Sequence, residues 1–446
     1  MKRSIFKCGG GLLVALAAFA LVLAATSCSK KDDAGAASSS SSTGASSGVK
    51  ELTVWCWDPS FNIYAMNVAA EIYGRDHPDV KVNIVETPWG DLQQKLITSL
   101  TANDTKSLPD IILCQDNAIQ KNIVNYPKAF YPLEGKVDLS EFAQFKVAFG
   151  EYEGKHYSVP FDNGATGTFI RTDIIADAGL TPEDFDDITW SEYIRLGKIV
   201  KEKTGKAIVS YSMQDLDCVF LMLQSAGRWV FDEAGNPDMA NNPVLKEAMT
   251  IYSQMVHEGI CITVPDWNAY VSSINNGTVA SAINGCWIVA TIKAQPNQKG
   301  KWAVVSTPRL DNAPGATNYS SQGGSSWMVM ASSKNVDLAC DFLSKTFAGS
   351  KELYETMLPV SGAVATWAPA GDTPAYGVEE EFFGGQQIFK DILSYTMNIP
   401  HVKYGVYNYE ARDAFQTVAS DILTGKQTVD EAIAAAEKQV RFLMGL

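Results

Sequence analysis

The spacing of apolar residues predicts alternating strands and helices from residue 52 onward. Short runs rich in Val, Ile and Trp predict strands, and apolar residues that recur every three or four positions predict amphipathic helices. Because strands separated by helices pair in parallel through right-handed crossovers, this order predicts an α/β region with a parallel sheet. The predicted strands are 52–57, 80–85 and 110–114, and the predicted helices are 61–76 and 90–102.

The pattern changes near residue 150, where turn residues and short strands interrupt it. Residues 152–160 predict a hairpin leading into a strand, and residues 166–171 predict a further strand. Thr189, followed three residues later by Glu192, predicts the start of a helix through a capping box. Further helices are predicted at about 216–226, 244–258 and 267–275.

The first 27 residues predict an export signal. Lys2, Arg3 and Lys7 precede an uncharged apolar run, 12–25, which is too short to span a bilayer as a permanent helix. Residues 25–28, Ala-Thr-Ser-Cys, resemble a bacterial lipobox in which the cysteine is lipidated and becomes the first mature residue. The alternative is ordinary signal cleavage beside an incidental cysteine.

A tether is predicted between Cys28 and the folded part of the chain. Residues 29–48 are built of Ser, Gly, Ala and a few charged residues, and nothing in them can bury apolar area. Several acyl chains on Cys28 would attach the protein stably to a membrane, whereas one chain would bind marginally. No other segment approaches 18 uninterrupted apolar residues.

Composition excludes some classes of partner. The net charge is −14, and removing a leader that carries +3 makes the mature charge −17, so phosphate backbones are repelled and no nucleic acid partner is expected.

Some 400 residues after the signal suggest two or three domains. Six cysteines in this part show no CxxC spacing and are interpreted as small buried hydrophobes, with a disulfide left open: Cys56, Cys114, Cys218, Cys261, Cys286 and Cys340.

Six segments, in order, resemble the bacterial extracellular solute-binding proteins of carbohydrate ABC importers, the family that includes maltose-binding protein. The opening residues 55–64 also resemble the branch that binds arabino-oligosaccharides. One departure is Cys286, which stands where maltose-binding protein has proline. The six segments are 54–57, 89–96 with 108–111, 154–160, 179–182 with 189–192, 276–287, and 398–400 with 424–432.

The resemblance implies an α/β, two-lobed periplasmic-binding-protein fold of type II, with hinge-linked lobes and the ligand in the cleft between them. The N-terminal lobe is predicted to comprise 49–160 plus about 306–360. The C-terminal lobe is predicted to comprise 161–305 plus about 361–446.

The predicted ligand site combines acids, amides and aromatic rings. Trp57, Asp58 and Asp116 follow strands at the sheet edge where ligands bind in open α/β folds. Carboxylates and amides would bind sugar hydroxyls, and aromatic rings would pack on the C–H faces. The alternatives are helix capping for the acids and core packing for the rings. The resemblance and the turn positions add Asp91, Asn163, Trp229, Trp267, Trp287, Gly324, Tyr404 and Tyr407.

The predicted function is that of a monomeric sugar-binding lipoprotein that delivers its ligand to the permease of an ABC importer, without a cofactor or metal. A non-sugar solute is one alternative, although the arginines are scattered and acids follow the strands, which favours neutral polyols or cations over anions. An enzyme is the other alternative. A glycosidase needs a pair of carboxylates, which composition cannot exclude, but the chain has no HExxH, GxSxG or GxxxxGK[ST] motif.

Overall fold

In the computed structural model, the described residues are 49–59, 61–212 and 216–446. The predicted signal, Cys28 and the tether of residues 28–48 lie outside them. Residues Gly48–Leu446 form one compact unit. Within the described ranges, no helix is long and apolar enough to cross a membrane.

The secondary structure alternates between strands and helices. The strands are β1 Lys50–Cys56, β2 Val80–Glu86, β3 Ile111–Gln115, β4 Glu151–Tyr152, β5 Lys155–His156, β6 Val159–Asp162, β7 Thr166–Arg171, β8 Val209–Ser212, β9 Cys261–Val264, β10 Ser281–Gly285, β11 Trp302–Val305 and β12 Ser325–Val329. The α-helices are α1 Asn62–Asp76, α2 Trp89–Thr101, α3 Asp116–Asn125, α4 Gln144–Phe149, α5 Thr172–Ala176, α6 Trp190–Thr204, α7 Asp217–Ser225, α8 Pro243–His257, α9 Trp267–Asn275, α10 Ile288–Lys293, α11 Val336–Lys345, α12 Lys351–Ser361, α13 Ile388–Thr396, α14 Asn408–Leu423 and α15 Val429–Met444. Short 3-10 helices lie at Pro182–Phe185, Pro296–Gln298, Ala368–Asp372, Pro374–Gly377 and Glu381–Phe383.

A five-stranded mixed sheet confirms the predicted β-α-β-α-β order. Its strand order is β2-β1-β3-β12-β6, with β1 parallel to β2 and β3, and β12 antiparallel to β3 and β6. Residues 111–114 of β3 are fully buried, as expected for a central strand with both faces covered. The carboxyl ends of β1 and β3 therefore open at one edge of this sheet.

A second sheet lies further along the chain and is antiparallel, in the order β10-β7-β11. The predicted strand at 166–171 is confirmed as β7, and the predicted hairpin is formed by β4 and β5. The predicted capping box at the start of α6 is also present, since the Thr189 side chain accepts from the amide of Glu192. Strands β8 and β9 form a separate parallel pair.

Three chain segments run side by side between the two larger sheets. Residues 162–166 join β6 to β7, and residues 306–324 join β11 to β12. Isolated bridges pair Asp162 with Ala365 and Ala165 with Ser321, so the segment after α12 runs alongside the other two. The predicted lobe boundaries at 160, 305 and 360 remain predictions.

The cysteines of the described chain pack as apolar residues. All six are free and buried, which confirms their interpretation as small buried hydrophobes.

Candidate functional site

A cavity of about 480 Å³ lies where the ends of β1, β3, β6 and β12 meet the turn after β10. The topology places it there because carboxyl ends of parallel strands share one edge of a sheet, where ligands bind in open α/β folds. Its lining is a mixture of aromatic rings, amides, hydroxyls and carboxylates: Trp57, Asp58, Phe61, Asn62, Gln115, Asn117, Asp162, Trp287, Ala290, Thr291, Gly323, Gly324, Ser325, Val360 and Ser361.

The wall at the end of β1 carries Trp57 and Asp58. The backbone N–H groups of both residues donate to Asn62 Oδ1, each at 3.0 Å, and this bond fixes the chain as it leaves the strand. The half-buried Trp57 ring lies 5.3 Å from the Trp89 ring. Asp58 Oδ1 also accepts from the Phe61 amide at 3.0 Å, so this carboxylate both supports the turn into α1 and lines the cavity.

The opposite wall carries Trp287. Its indole Nε1–H donates to the carbonyl oxygen of Gln322 at 2.9 Å, which holds the ring beside the crossing segment 306–324. A Cβ on Gly285 would lie 2.3 Å from Trp287 Nε1, so this ring position requires glycine at the end of β10. Trp267 is 45% exposed, and its ring centroid lies 5.6 Å from that of Trp287. The structure therefore groups these two tryptophans, with Trp287 as the one that lines the cavity.

At the end of β3, the residues that line the cavity are the two neighbours of the predicted Asp116. Gln115 and Asn117 line the cavity, and Tyr409 donates its hydroxyl to Asn117 Oδ1 at 2.8 Å. Asp116 lies between them but turns away into the protein, where it is 1% exposed.

Asp116 is held below the cavity by two side chains. It forms an ion pair with Lys146, and Ser326 Oγ donates to its Oδ1 at 2.8 Å. Burial raises the pKa of Asp116, against the opposing attraction of Lys146.

The floor of the cavity is formed by Asp162, which sequence reasoning missed. It is 4% exposed, and Ser325 Oγ donates to its Oδ1. Burial raises the pKa of Asp162 to about 6. The adjacent Asn163, which was predicted instead, is directed away from the cavity. Its amide donates to Ala365 O at 2.9 Å and to Thr396 Oγ1 at 2.8 Å, so it holds the crossing segments together.

Gly324 also lies on the cavity, and the structure explains why glycine is needed there. Its φ of +94° is one that side-chain-bearing residues rarely adopt. A Cβ at this position would lie 2.5 Å from Asp116 Oδ2 and 2.9 Å from Lys146 Nζ. The glycine therefore lets the backbone cross directly above the buried Asp116–Lys146 pair.

The remaining predicted residues lie elsewhere. Asp91 lines a separate cavity of about 510 Å³ with Trp55 and Lys95. Tyr404 and Tyr407 line another, of about 630 Å³, which borders the far end of α3. Trp229 is buried, and its ring contacts that of Tyr404 at 4.7 Å.

A groove of about 770 Å³ lies between α6 and α8. It has no aromatic side chain in its lining, whereas the 480 Å³ cavity combines rings with polar groups, so the smaller cavity is the better candidate for a polyol. Over the described ranges, no three His, Cys, Asp or Glu side chains are grouped to hold a metal ion.

Comparison with known proteins shows the family to which this chain belongs. A family model for the bacterial extracellular solute-binding proteins matches residues 69–381. The chain is 39% identical over 397 residues to the lactose-binding protein of Rhizobium radiobacter, covering 89% of this chain and 93% of that protein. It is 23% identical over 406 residues to the arabinooligosaccharide-binding protein of Halalkalibacterium halodurans, covering 88% and 89%.

The fold is also shared with solved structures. The sugar-binding protein MalE of Xanthomonas citri superposes with a TM-score of 0.74 at 17% identity, covering 89% of this chain and 98% of that one. This likeness confirms the predicted two-lobed α/β fold.

Proposed function

The chain belongs to the bacterial extracellular solute-binding proteins, and we propose that it captures a sugar or oligosaccharide for an ABC importer in the cavity between Trp57 and Trp287. The observation that carries the proposal is that two indole rings and a set of amides and carboxylates line one cavity. Rings pack on the C–H faces of a sugar, while amide and carboxylate groups bind its hydroxyls.

Lactose is the first ligand to test. The relative that is 39% identical is a lactose-binding protein, whereas the arabinooligosaccharide-binding relative is 23% identical. A cavity of about 480 Å³ lies within the usual range for small-molecule sites, roughly 300–1,000 Å³. The predicted membership of the arabino-oligosaccharide branch supplies the second ligand class.

Ligand capture would proceed by closure of the lobes. Trp57 and Asp162 line the cavity from the five-stranded sheet, and Trp287 lines it from the three-stranded sheet. A bound sugar would therefore contact residues of both sheets. A ligand shifts an equilibrium between open and closed forms only if it binds one of them better. The three segments between the sheets are the natural hinge, as in hinge closure of periplasmic binding proteins generally.

The protein would act as a monomer anchored outside the cytoplasm by a lipid on Cys28, and it would hand the closed, loaded form to the permease. The predicted tether, residues 28–48, would link the folded part to this anchor. We propose binding without turnover, in line with the binding proteins to which the chain is related.

Calorimetric titration of the full chain tests the proposal. The protein is kept in a detergent without a sugar headgroup and titrated with lactose, galacto-oligosaccharides, arabino-oligosaccharides and maltose. Saturable binding of one class, with the sugar recovered intact by chromatography, is the expected result. Binding of amino acids or metal ions and of no sugar would contradict it, and recovery of hydrolysed sugar would identify an enzyme instead.

A further inference from the structure

Asp162 combines burial with hydrogen-bond acceptor capacity at the cavity. The side chain lines the cavity but is 4% exposed. Its Oδ1 accepts from Ser325 Oγ, and the Ser325 backbone also bonds the carboxylate. A carboxylate can accept about four hydrogen bonds, so a donor on a bound ligand can still reach it from the cavity.

The charges around Asp162 leave the floor with an excess of one negative charge when its acids are ionised. Lys146 on α4 is fully buried, is paired with Asp116 on α3, and donates to the carbonyl oxygen of Ser325 at 3.3 Å. Two carboxylates therefore share one ammonium group. Cys286, after β10, brings no charge, because burial and the nearby Asp162 raise the pKa of its thiol. Asp58 adds a further carboxylate at the exposed rim.

This arrangement disfavours anions and favours a ligand group that donates a hydrogen bond. An anion would meet the excess negative charge, whereas a sugar hydroxyl group donates to the carboxylate. A hydrogen bond from a hydroxyl to an ionised carboxylate is about twice as strong as one between neutral groups. A site built around such a bond rejects analogues that lack the hydroxyl, since the carboxylate then loses that donor.

We propose that Asp162 accepts a hydrogen bond from one particular hydroxyl group of the bound sugar, so that it selects for that hydroxyl and the protein binds its ligand more tightly when Asp162 is ionised. This inference rests on the proposed sugar-binding function. Ser325 is the positioning residue, because its hydroxyl holds one oxygen of the carboxylate.

The direction of the pH dependence follows from the geometry. A donated hydrogen bond stabilises the ionised form, so binding lowers the pKa of Asp162 and releases a proton. In the free protein burial places that pKa at about 6. At about pH 5 roughly one molecule in eleven carries the ionised carboxylate, so affinity falls about tenfold from its value at about pH 7.5.

The test is calorimetric titration of the full chain with lactose at about pH 5, 6 and 7.5, in two buffers of different ionisation enthalpy so that proton release is counted. The unsubstituted chain should lose affinity about tenfold in acid. Asp162→Asn should bind about ten- to a hundredfold more weakly at about pH 7.5, the range expected for a hydrogen bond to a charged group, and its affinity should not change with pH. Asp337→Asn, the same substitution on an exposed side chain paired with Lys136, is the matched control and should behave as the unsubstituted chain.

Monodeoxy lactoses identify the hydroxyl group. One of them should bind the unsubstituted chain about ten- to a hundredfold more weakly than lactose but bind Asp162→Asn as well as lactose does, because the two changes remove the same bond. Equal losses in both proteins for every analogue would overturn the proposal.

A second variant keeps the proposal testable if Asp162→Asn does not fold. Ser325→Ala removes a bond that favours the ionised carboxylate, so the midpoint of the affinity profile should move to higher pH. An unchanged midpoint would overturn the inference. If the chain bound sugar and substitution of Asp162 left the affinity unchanged, this inference would fall and the proposed function would stand. If the unsubstituted chain bound no sugar, the proposed function would fall as well.

Discussion

Two groups of aromatic residues were predicted to bind the ligand, and the structure treats them differently. Trp57 and Trp287 are half-buried and line the 480 Å³ cavity. Trp229 and Tyr404 are 6% and 5% exposed, and the Tyr404 ring stacks on Phe149 at a centroid distance of 4.6 Å. The rings of the first pair have exposed surface that a ligand could contact, while those of the second pair are covered by neighbouring rings.

The same contrast separates two carboxylates at the strand ends. Asp116 has Lys146 and Ser326 as partners and does not line the cavity, whereas Asp162 lines it. Which carboxylate faces the cavity therefore depends on the partners that packing supplies, and residue type alone does not reveal it. Four substitutions test this distinction, from the largest expected effect to the smallest.

Trp229→Ala should lower the free energy of unfolding by about 3–5 kcal/mol, because it removes a buried ring and leaves a cavity. It also removes the bond that Trp229 Nε1 donates to Asn408 Oδ1 at 3.0 Å. Urea unfolding followed by circular dichroism measures the loss. Trp267→Ala, at an exposed ring, is the control and should cost less than about 1 kcal/mol; equal losses would erase the contrast between the two groups.

Asp116→Asn should cost about 3 kcal/mol at neutral pH, since it leaves the buried Lys146 without its direct partner. The cost should grow as pH falls through the raised pKa of Asp116, because protonation of that carboxyl stabilises the folded unsubstituted chain, whereas the Asn variant has no group that titrates there. Urea unfolding at several pH values measures it. A cost that stayed constant with pH would show that folding does not shift the pKa of Asp116.

Trp57→Ala should weaken sugar binding about tenfold, equivalent to about 1.4 kcal/mol of lost stacking and contact, with a smaller effect on stability. Trp55→Ala, two residues earlier on β1, is the matched control, since Trp55 lines the separate cavity with Asp91. Calorimetric titration with lactose compares them. If the Trp55 variant lost affinity and the Trp57 variant kept it, the ligand would bind in the other cavity.

Tyr404→Phe should have the smallest effect, about 0.5–1 kcal/mol of stability, because it removes one long hydrogen bond of 3.3 Å to Gln224 Oε1. Sugar affinity should stay unchanged, as Tyr404 lies on the 630 Å³ cavity. Thermal unfolding and titration on the same sample check both. A marked loss of affinity with normal stability would make the larger cavity the ligand site.

Much of the fold could be predicted because it depends on local patterns. The alternation of strand and helix between residues 52 and 114 reflects burial periodicity, and the structure reproduces it within one to two residues at each boundary. The position of the cavity could also be predicted, since it depends on the direction of the parallel strands. The pairing of β12 between β3 and β6 could not be predicted, because these strands meet across long stretches of chain.

Side-chain direction was the part that local patterns could not supply. Gln115, Asp116 and Asn117 are adjacent polar residues, and the pattern gives no reason to exclude the middle one. Asp116 turns inward because Lys146, 30 residues later, lies below it, and Asp162 rather than Asn163 faces the cavity because Asn163 is bound by Ala365 and Thr396.

By itself, the amino-acid sequence determined the family and the α/β class, while the export signal, the lipid anchor on Cys28 and the sheet edge at which a ligand would bind stay predictions. These follow from short motifs and from the spacing of apolar residues, which each segment carries on its own. Only the tertiary structure decided which rings stay partly exposed and which carboxylate lines the cavity. Those properties depend on partners brought together by packing, and a buried polar group is defined by the neighbours that it has and by those that it lacks.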